Sequence, residues 1–410
     1  MEIFKQTNFD FLGKKWPFIG LSLLLTLAGI VSLAIKGGPK YGIDFNGGAL
    51  MDVNFIHRPS AEQIRSAVRQ KISGEIEVQE VTSNPREVLI STGVRDERGL
   101  QVVRNDMLSA LNTAFNPNTG GKLDINTIGQ TALVDALRGA LSKTGGLSDD
   151  AIGSLANRIL EYRDTPPRSG LIGNLNELSG IPGMTPQILS AIRESFFPGQ
   201  FHIGRVEIVG PKIGADLRQQ AINVVLIALG AMLVYIAFRF EWIYGVAAVV
   251  AVFHDTIITI GLFSLFNKQI DLTVIAALLT LVGYSMNDTI VVFDRIRENL
   301  RLGMRGSFRD IVNTSINQTL SRTVLTSGLT FLTALSLYLF GGQVLNGFSF
   351  ALVVGIIVGT YSSIFIASPI LIFWHDLAEK RRRNARLTAT PVENRARVSA
   401  GSVKGIKTAK

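Results

Sequence analysis

The sequence has no cysteine and only four histidines, His57, His202, His254 and His375, none of them paired at metal-ligand spacing. Disulfides, thiolate zinc sites and cysteine nucleophiles are excluded on that ground, and neither a transition-metal enzyme nor any bound cofactor is expected. A nucleotide-binding loop of the G-x-x-x-x-G-K type is also missing, so bound ATP is not the expected energy source. Charge is scarce. Only 18% of the 410 residues are charged while 47% are hydrophobic, whereas a soluble chain carries about a quarter. The chain is thus too apolar to be disordered and too poor in charge to be fully water-soluble. The net charge of +9 is unevenly spread: from His375 to Lys410 ten Lys/Arg face three Asp/Glu, which places +7 in the C-terminal tail.

What is abundant is uninterrupted apolar sequence. Pro17 to Ile35 is 19 residues without a charge, Gln219 to Phe238 is 20, and Trp242 to Asn267 is 26 broken only by Asp255. Leu272 to Phe293 is 22 broken only by Asp288, and Thr323 to Trp374 is 52 with no charge at all. A membrane helix needs about 20 apolar residues, so the last run is two helices. Its hairpin lies between Gly341-Gly342 and Asn346-Gly347. Six membrane helices result, over 17–35, 219–238, 242–266, 272–293, 322–341 and 347–374. Lys5, Lys14 and Lys15 precede the first, Arg295, Arg297, Arg301, Arg305 and Arg309 follow the fourth, and Arg381-Arg382-Arg383 follow the sixth. The turns on the other side carry almost no cation. Both termini are therefore expected in the cytoplasm, with residues 36–218 outside it. The first run reads as a retained anchor rather than a cleaved signal peptide.

The long loop reads as a small α+β domain. Gly48–Phe55 alternates like a strand, and Ser60 caps a helix whose apolar face is Ile64, Ala67, Val68 and Ile72. Ile76–Val81 and Glu87–Ser91 form a hairpin about Ser83–Arg86, Gly99–Phe115 a second helix, and Phe201–Val209 a late strand. The order β-α-β-β-α-…-β is ferredoxin-like. A helical insert, about 127–199, interrupts it and contains a helix-hairpin-helix-like stretch in which Gly180 and Gly183 permit a tight turn. Its near-neutral composition favours a structural or protein-contact role. No nucleic acid is expected as a partner.

Two carboxylates stand inside the apolar runs, where each ionisable residue costs about 2.5–3.5 kcal/mol on insertion scales. Asp288, in the cytoplasmic half of the fourth helix, reads as an ion relay in preference to a carboxylate satisfied by Asn287 or Thr289. Asp255, near mid-membrane, fits a relay and a structural role equally. His254 is about 100° round the helix from it, so it need not share that site, and it reads as an interfacial or core histidine. Asp294 reads as a solvated interface residue near Arg297. Arg322, at the expected start of the fifth helix, is the expected charge partner of Asp288. Gly303–Gln318 reads as a separate amphipathic helix on the cytoplasmic interface. Gly355, Gly359, Ser362, Ser363 and Ala367 line one face of the sixth helix and suit close packing. Residues 381–410 read as disordered and held near anionic lipid.

Long motifs carry a family resemblance. Tyr41-Gly-Ile-Asp-Phe-Asn-Gly-Gly after the first helix, with Gly47 and Gly48, resembles the signature of the SecD/SecF protein-export family of the resistance-nodulation-division superfamily. So does Val209-Gly-Pro-Lys-Ile-Gly-Ala-Asp-Leu before the second, with Gly210 and Pro211. Gly283-Tyr-Ser-Met-Asn-Asp-Thr-Ile-Val-Val-Phe-Asp-Arg-Ile-Arg-Glu-Asn, which holds Asn287, Asp294 and Arg295, is similar to the SecF branch in particular. Ile316–Gly328 and Tyr338–Gly342 continue the match. The insert at 127–199 and the basic tail depart from the pattern. The resemblance implies a six-helix half that pairs with SecD, associates with the SecYEG channel, and uses a proton or sodium gradient to help draw translocating polypeptides out. A half-subunit of a small-molecule or lipid exporter of the superfamily is the alternative.

Overall fold

A computed structural model describes residues 7–389 apart from 75, 82–83, 94–99, 118, 143–146, 240–241 and 343. The chain divides into two units, Tyr41–Ile222 and the remainder, Met1–Lys40 with Asn223–Lys410.

The first unit opens with a short helix, α2 (Ile43–Asn46), and is built on strands β1 (Gly48–Phe55), β2 (Ile76–Glu80), β3 (Glu87–Thr92) and β6 (Phe201–Val209). These form one antiparallel sheet in the order β2-β3-β1-β6. Helices α3 (Ala61–Arg69) and α4 (Leu100–Phe115) complete the ferredoxin-like arrangement. The period-2 alternation of β1 sends Ala49, Met51, Val53 and Phe55 into a core with Ile64, Val68, Ile90, Met107, Leu111 and Phe201. Ser60 caps α3 in a reciprocal box: the Gln63 N–H donates to Ser60 Oγ at 3.3 Å and the Ser60 N–H to Gln63 Oε1 at 2.9 Å.

The insert is a self-contained helical body inside this unit. A two-residue parallel ladder of β4 (Leu123–Asp124) and β5 (Phe196–Phe197) closes its neck, and the insert therefore begins a few residues earlier than its composition suggests. Between the two strands lie α5 (Gln130–Leu141), α6 (Asp149–Asp164), a 3₁₀ turn (Leu175–Gly180) and α7 (Pro186–Ser195). Leu133, Leu137, Leu155, Ile159, Ile172, Leu178, Ile192 and Phe196 make a core separate from that of the sheet. The neck is locked by polar side chains. Asp124 Oδ1 accepts from the Gly199 and Asn126 amides, both at 2.9 Å. Fully buried Asn126 donates to the carbonyls of Ile172 and Gly199 and accepts from the Ile172 amide. The element before the Gly183 turn is 3₁₀ rather than α-helical, so the hairpin is shorter than the expected helix-hairpin-helix; Gly183 takes φ +88° there.

The second unit contains the helices long and apolar enough to cross a membrane. They are α1 (Lys15–Lys36), α8 (Pro211–Arg239), α9 (Trp242–Leu265), α10 (Leu272–Arg301), α11 (Phe308–Phe340) and a continuous rod of α12 (Asn346–Ser362), a π segment (Ser363–Ala367) and α13 (Ser368–Ala389). α8 begins in the other unit. Glycines set the closest crossings. A Cβ on either Gly29 of α1 or Gly261 of α9 meets the other's Cα at 2.7 Å, and one on Gly355 of α12 meets Leu281 of α10 at 2.3 Å.

Three expectations are corrected. The separate amphipathic helix over Gly303–Gln318 is the first half of α11: Ser307 and Asp310 cap it reciprocally, and no glycine or proline interrupts residues 308–327 to stop the helix. Arg322 consequently lies inside α11 rather than at a helix start. The sixth helix does not end at Trp374. Its rod passes through the π segment because Pro369 has no N–H for the residue 365 carbonyl; the Ser368 hydroxyl bonds the Ser363 carbonyl at 2.9 Å, and the helix runs to Ala389. The part of the tail read as disordered between 381 and 389 is thus helical, and 390–410 lie outside the described residues.

Candidate ion-coupling site

Side chains from α9, α10, α11 and α12 converge on the two carboxylates of the apolar runs. Asp288 is 2% exposed. Its Oδ2 accepts from Ser327 of α11 at 2.8 Å and from Thr360 of α12 at 3.4 Å, not from the sequence neighbours Asn287 or Thr289. The Thr289 hydroxyl instead donates back to the Ser285 carbonyl at 3.2 Å, and Asn287 is exposed. Among the described residues no ion pair reaches Asp288. Arg322 is exposed on α11, five residues before Ser327, about 7.5 Å of helix rise. The structure therefore joins Asp288 to the helix that carries Arg322 through a serine hydroxyl.

Asp255 is fully buried. Its Oδ2 accepts from Ser285 of α10 at 2.5 Å and from Ser362 of α12 at 2.8 Å. Its Oδ1 is 2.9 Å from Nδ1 of His254. His254, read from the sequence as an interfacial or core histidine, thus shares the Asp255 site. Adjacent Cβ atoms do diverge by about 100°, but rotation at χ1 and χ2 folds the imidazole back alongside the helix, where its outer nitrogen Nε2 contacts the Ser22 hydroxyl of α1.

The two centres are linked by pairs of residues on shared helices. α10 supplies Asp288 and, one turn earlier, Ser285 to Asp255. α12 supplies Thr360 to Asp288 and Ser362 to Asp255, immediately before the π segment. A π segment is a widened turn that functional sites often use. Sequence reasoning missed Ser285, Ser327, Thr360 and Ser362. The only available signal was polar residues one turn from a buried acid or in a small-residue stripe, and such residues equally serve helix packing. Among the described residues no cluster of three or more His, Asp or Glu able to hold a metal ion occurs.

The remaining signature residues do other work. Asp294 is exposed. Arg295 pairs with Glu298 at 2.6 Å and donates to Gln318 of α11 at 2.6 Å. Buried Asn299, one turn on, donates to Ser315 and Gln318, both at 2.8 Å. These bonds clamp the end of α10 onto the first half of α11. Gly47, Gly48, Gly210 and Pro211 meet one another in the α+β unit. Gly47, at φ +72°, leaves no room for a Cβ, which would lie 2.7 Å from the Pro211 Cα, and a Cβ on Gly48, at φ +146°, would lie 2.2 Å from the Thr92 carbonyl oxygen. Both ends of the domain are thereby sewn together, and Pro211 starts α8 at the position that tolerates proline.

The chain matches the family described as "Protein export membrane protein SecD/SecF, C-terminal" over residues 188–377. It is 46% identical over 404 residues to the protein translocase subunit SecF of Koribacter versatilis, covering 96% of this chain and 98% of that protein. It is 36% identical over 394 residues to the SecF subunit of Rhodothermus marinus, covering 94% and 99%. Its structure is similar to the crystal structure of SecDF from a Thermus species, described as a translocon-associated membrane protein, with a TM-score of 0.62 and 31% identity; the similarity covers 90% of this chain and 39% of that one. Six apolar helices, an inserted α+β domain and buried carboxylates between spans thus define a multi-pass membrane protein of the Sec protein-export type. The chain belongs to the SecF family of protein translocase subunits, and its role is one of transport.

Proposed function

We propose that this chain is the SecF half of a SecD–SecF unit that associates with the SecYEG channel in the bacterial inner membrane and uses the proton gradient, or a sodium gradient, to promote translocation of polypeptides. The observation that carries the reading is Asp288: a 2% exposed carboxyl in a membrane-spanning helix whose partners are two neutral hydroxyls. A carboxyl so placed is costly in its charged form unless a cation approaches. Arg322 is the cation nearest in helical register to the Ser327 contact. Approach and withdrawal of its guanidinium would alternate Asp288 between ionised and protonated forms and load the ion from one side for release to the other. Each charge crossing the field gains about 2.3 kcal/mol per 100 mV, enough to bias a movement of the α+β domain. The Lys/Arg distribution supports cytoplasmic termini and an external α+β domain. Asp255 serves as a second coupling carboxyl, and lipid surrounds the outward apolar faces of the spans.

The test is reconstitution of the Asp288→Asn variant with a SecD partner in vesicles under an imposed gradient. Asn is nearly isosteric and still accepts from Ser327, so assembly should persist while gradient-driven ion flux and export fall at least tenfold. Flux and export at the parent rate would remove Asp288 from the coupling role. The Arg322→Ala variant should lose flux in the same way, with Arg322→Lys retaining part of it.

A further inference from the structure

The histidine beside the second carboxyl has no assigned role, and its geometry is that of a proton carrier. His254 lies between two polar contacts. Its Nδ1 faces Asp255 Oδ1 at 2.9 Å, and its Nε2 faces the Ser22 hydroxyl. The Tyr361 hydroxyl of α12 donates to the carbonyl of Phe18, one turn before Ser22 on α1, at 2.6 Å. The result is one hydrogen-bonded row, Ser22–His254–Asp255, which continues through Ser285 and Ser362 to the helices that hold Asp288. The Asp255 side chain is 1% exposed and that of His254 14%, so the imidazole is the more open member of the pair, and the Ser22 it meets is buried.

The charge balance of the pair points the same way. Asp255 is fully buried, and His254 is the one basic side chain within ion-pair distance of it among the described residues. One proton shared between them leaves the pair neutral whether it sits on the imidazole or on the carboxyl. Removing that proton leaves an uncompensated buried anion, which is expensive. Imidazole is the side chain suited to taking up and giving back a proton near neutral pH. The titratable groups that face His254 are Asp255 from α9 itself and Tyr361 from α12; α1 contributes the uncharged Ser22.

Resting on the proposed gradient-driven role, we infer that His254 is a proton-transfer residue that connects Asp255 to the Ser22 hydroxyl of α1, so that the chain has a second proton-holding centre beside that of Asp288. The step moves one proton and breaks no other bond. Imidazolium gives its Nδ1 proton to Asp255 Oδ1 and becomes neutral, keeping its other proton on Nε2. A tautomer change moves that proton to Nδ1 and frees the Nε2 lone pair. Nε2 then takes the Ser22 hydroxyl proton while a hydronium ion reprotonates the Ser22 oxygen. The ion that this row can carry is H⁺: an N–H donor already fills the remaining position on Asp255, where a sodium site would need another oxygen.

The experiment uses the full chain reconstituted with its SecD partner, comparing the parent with His254→Gln, Ser22→Ala and Asp288→Asn. Glutamine spans a similar distance and hydrogen-bonds at its tip but does not exchange protons. Proton flux is read by an entrapped pH dye over a series of pH values, alongside the amount of assembled complex. His254→Gln should assemble normally and lose flux at least tenfold, with the pH profile flattened, and Ser22→Ala should lose about threefold or more. A His254→Gln variant that matches the parent at every pH, beside an inactive Asp288→Asn, would overturn this inference alone. Parent flux from Asp288→Asn would instead overturn the reading beneath it. Should His254→Gln fail to assemble, Ser22→Ala decides: parent flux from that variant rejects the row.

Discussion

At the scale of single residues, burial decides which acids matter. Asp288 is enclosed and met only across helices, Asp255 is enclosed and met across helices and by the adjacent His254, and Asp294 in the Asp288 motif is exposed. Outside the spans the same rule marks Asp52 on β1. Burial, and then the neighbouring Glu87 carboxylate, push its carboxyl up to about 6, against the opposing pull of Arg205. One of its oxygens, Oδ1, is buried without a hydrogen-bond partner. A folded-state value above the unfolded one means that the folded domain binds the extra proton, so stability should rise as pH falls from 7 through about 6 towards 4. Allowing for solvent screening at this half-buried site, the gain is roughly 1–2 kcal/mol. Asp52→Asn should stabilise the sheet by a similar amount at pH 7 and abolish that slope. Hydrogen exchange of the β1 and β3 amides, corrected for intrinsic rates, measures both; an unchanged slope in the variant rejects the assignment.

Among the elements, the approach of helix backbones is governed by glycine. Gly29 and Gly261 let α1 lie against α9, and the same seam carries the Ser22–His254 and Ser32–Ser264 contacts. A side chain at 261 drives the helices apart, because its Cβ would sit 2.7 Å from a backbone carbon that cannot rotate away. Gly261→Val should cost about 1–3 kcal/mol from overpacking and separate Ser22 from His254. Cysteines placed at 32 and 264 in this cysteine-free chain offer a reporter. They should cross-link readily in the parent and poorly in the Gly261→Val background. Equal cross-linking in both would show that the helices absorb the side chain. A second device lies before α1. Asn313 and Asn317 of α11 bind the backbone of Phe9 and Phe11 at 2.8–3.0 Å, and Phe11 and Phe18 pack on Phe365 of the π segment. The N-terminal segment thus ties α11, which carries Ser327, to the rod that carries Thr360.

For the whole molecule, separate cores imply separable parts. The insert has its own apolar centre, and its neck is held by Asp124 and Asn126. Immediately outside that neck the Gln200 amide donates to Asn116 Oδ1 at 2.9 Å, so the end of α4 and the start of β6 are already adjacent. Replacing residues 117–199 by a short Gly/Ser bridge should leave the sheet folded, with β1 and β3 amides as protected from exchange as in the parent. Membrane yield should be retained and export reduced only in part. Loss of sheet protection would show that the insert belongs to the domain core.

Residue order alone determined the class of this protein. The apolar runs can be satisfied only as six membrane helices, and the alternation of Gly48–Phe55 with the Ser60 cap specified strand, helix and ferredoxin-like order, because these signals are local and periodic. The signature glycines were legible as motifs, but their purpose, room for Pro211 and for the Thr92 carbonyl, emerged only when residues far apart in sequence met. The apolar runs also could not show where α11 begins or that the last rod bends its hydrogen bonding at Ser363–Ala367, since hydropathy records lipid contact and not helix continuity. Nor could they show which hydroxyls hold which acid. Ser285, Ser327, Thr360 and Ser362 are ordinary helix-packing residues until four helices turn them inward, and His254 joins Asp255 only through rotamers chosen by the packing of α1. Partnership inside a membrane is decided by which helix faces meet, and that is a property of the assembled structure.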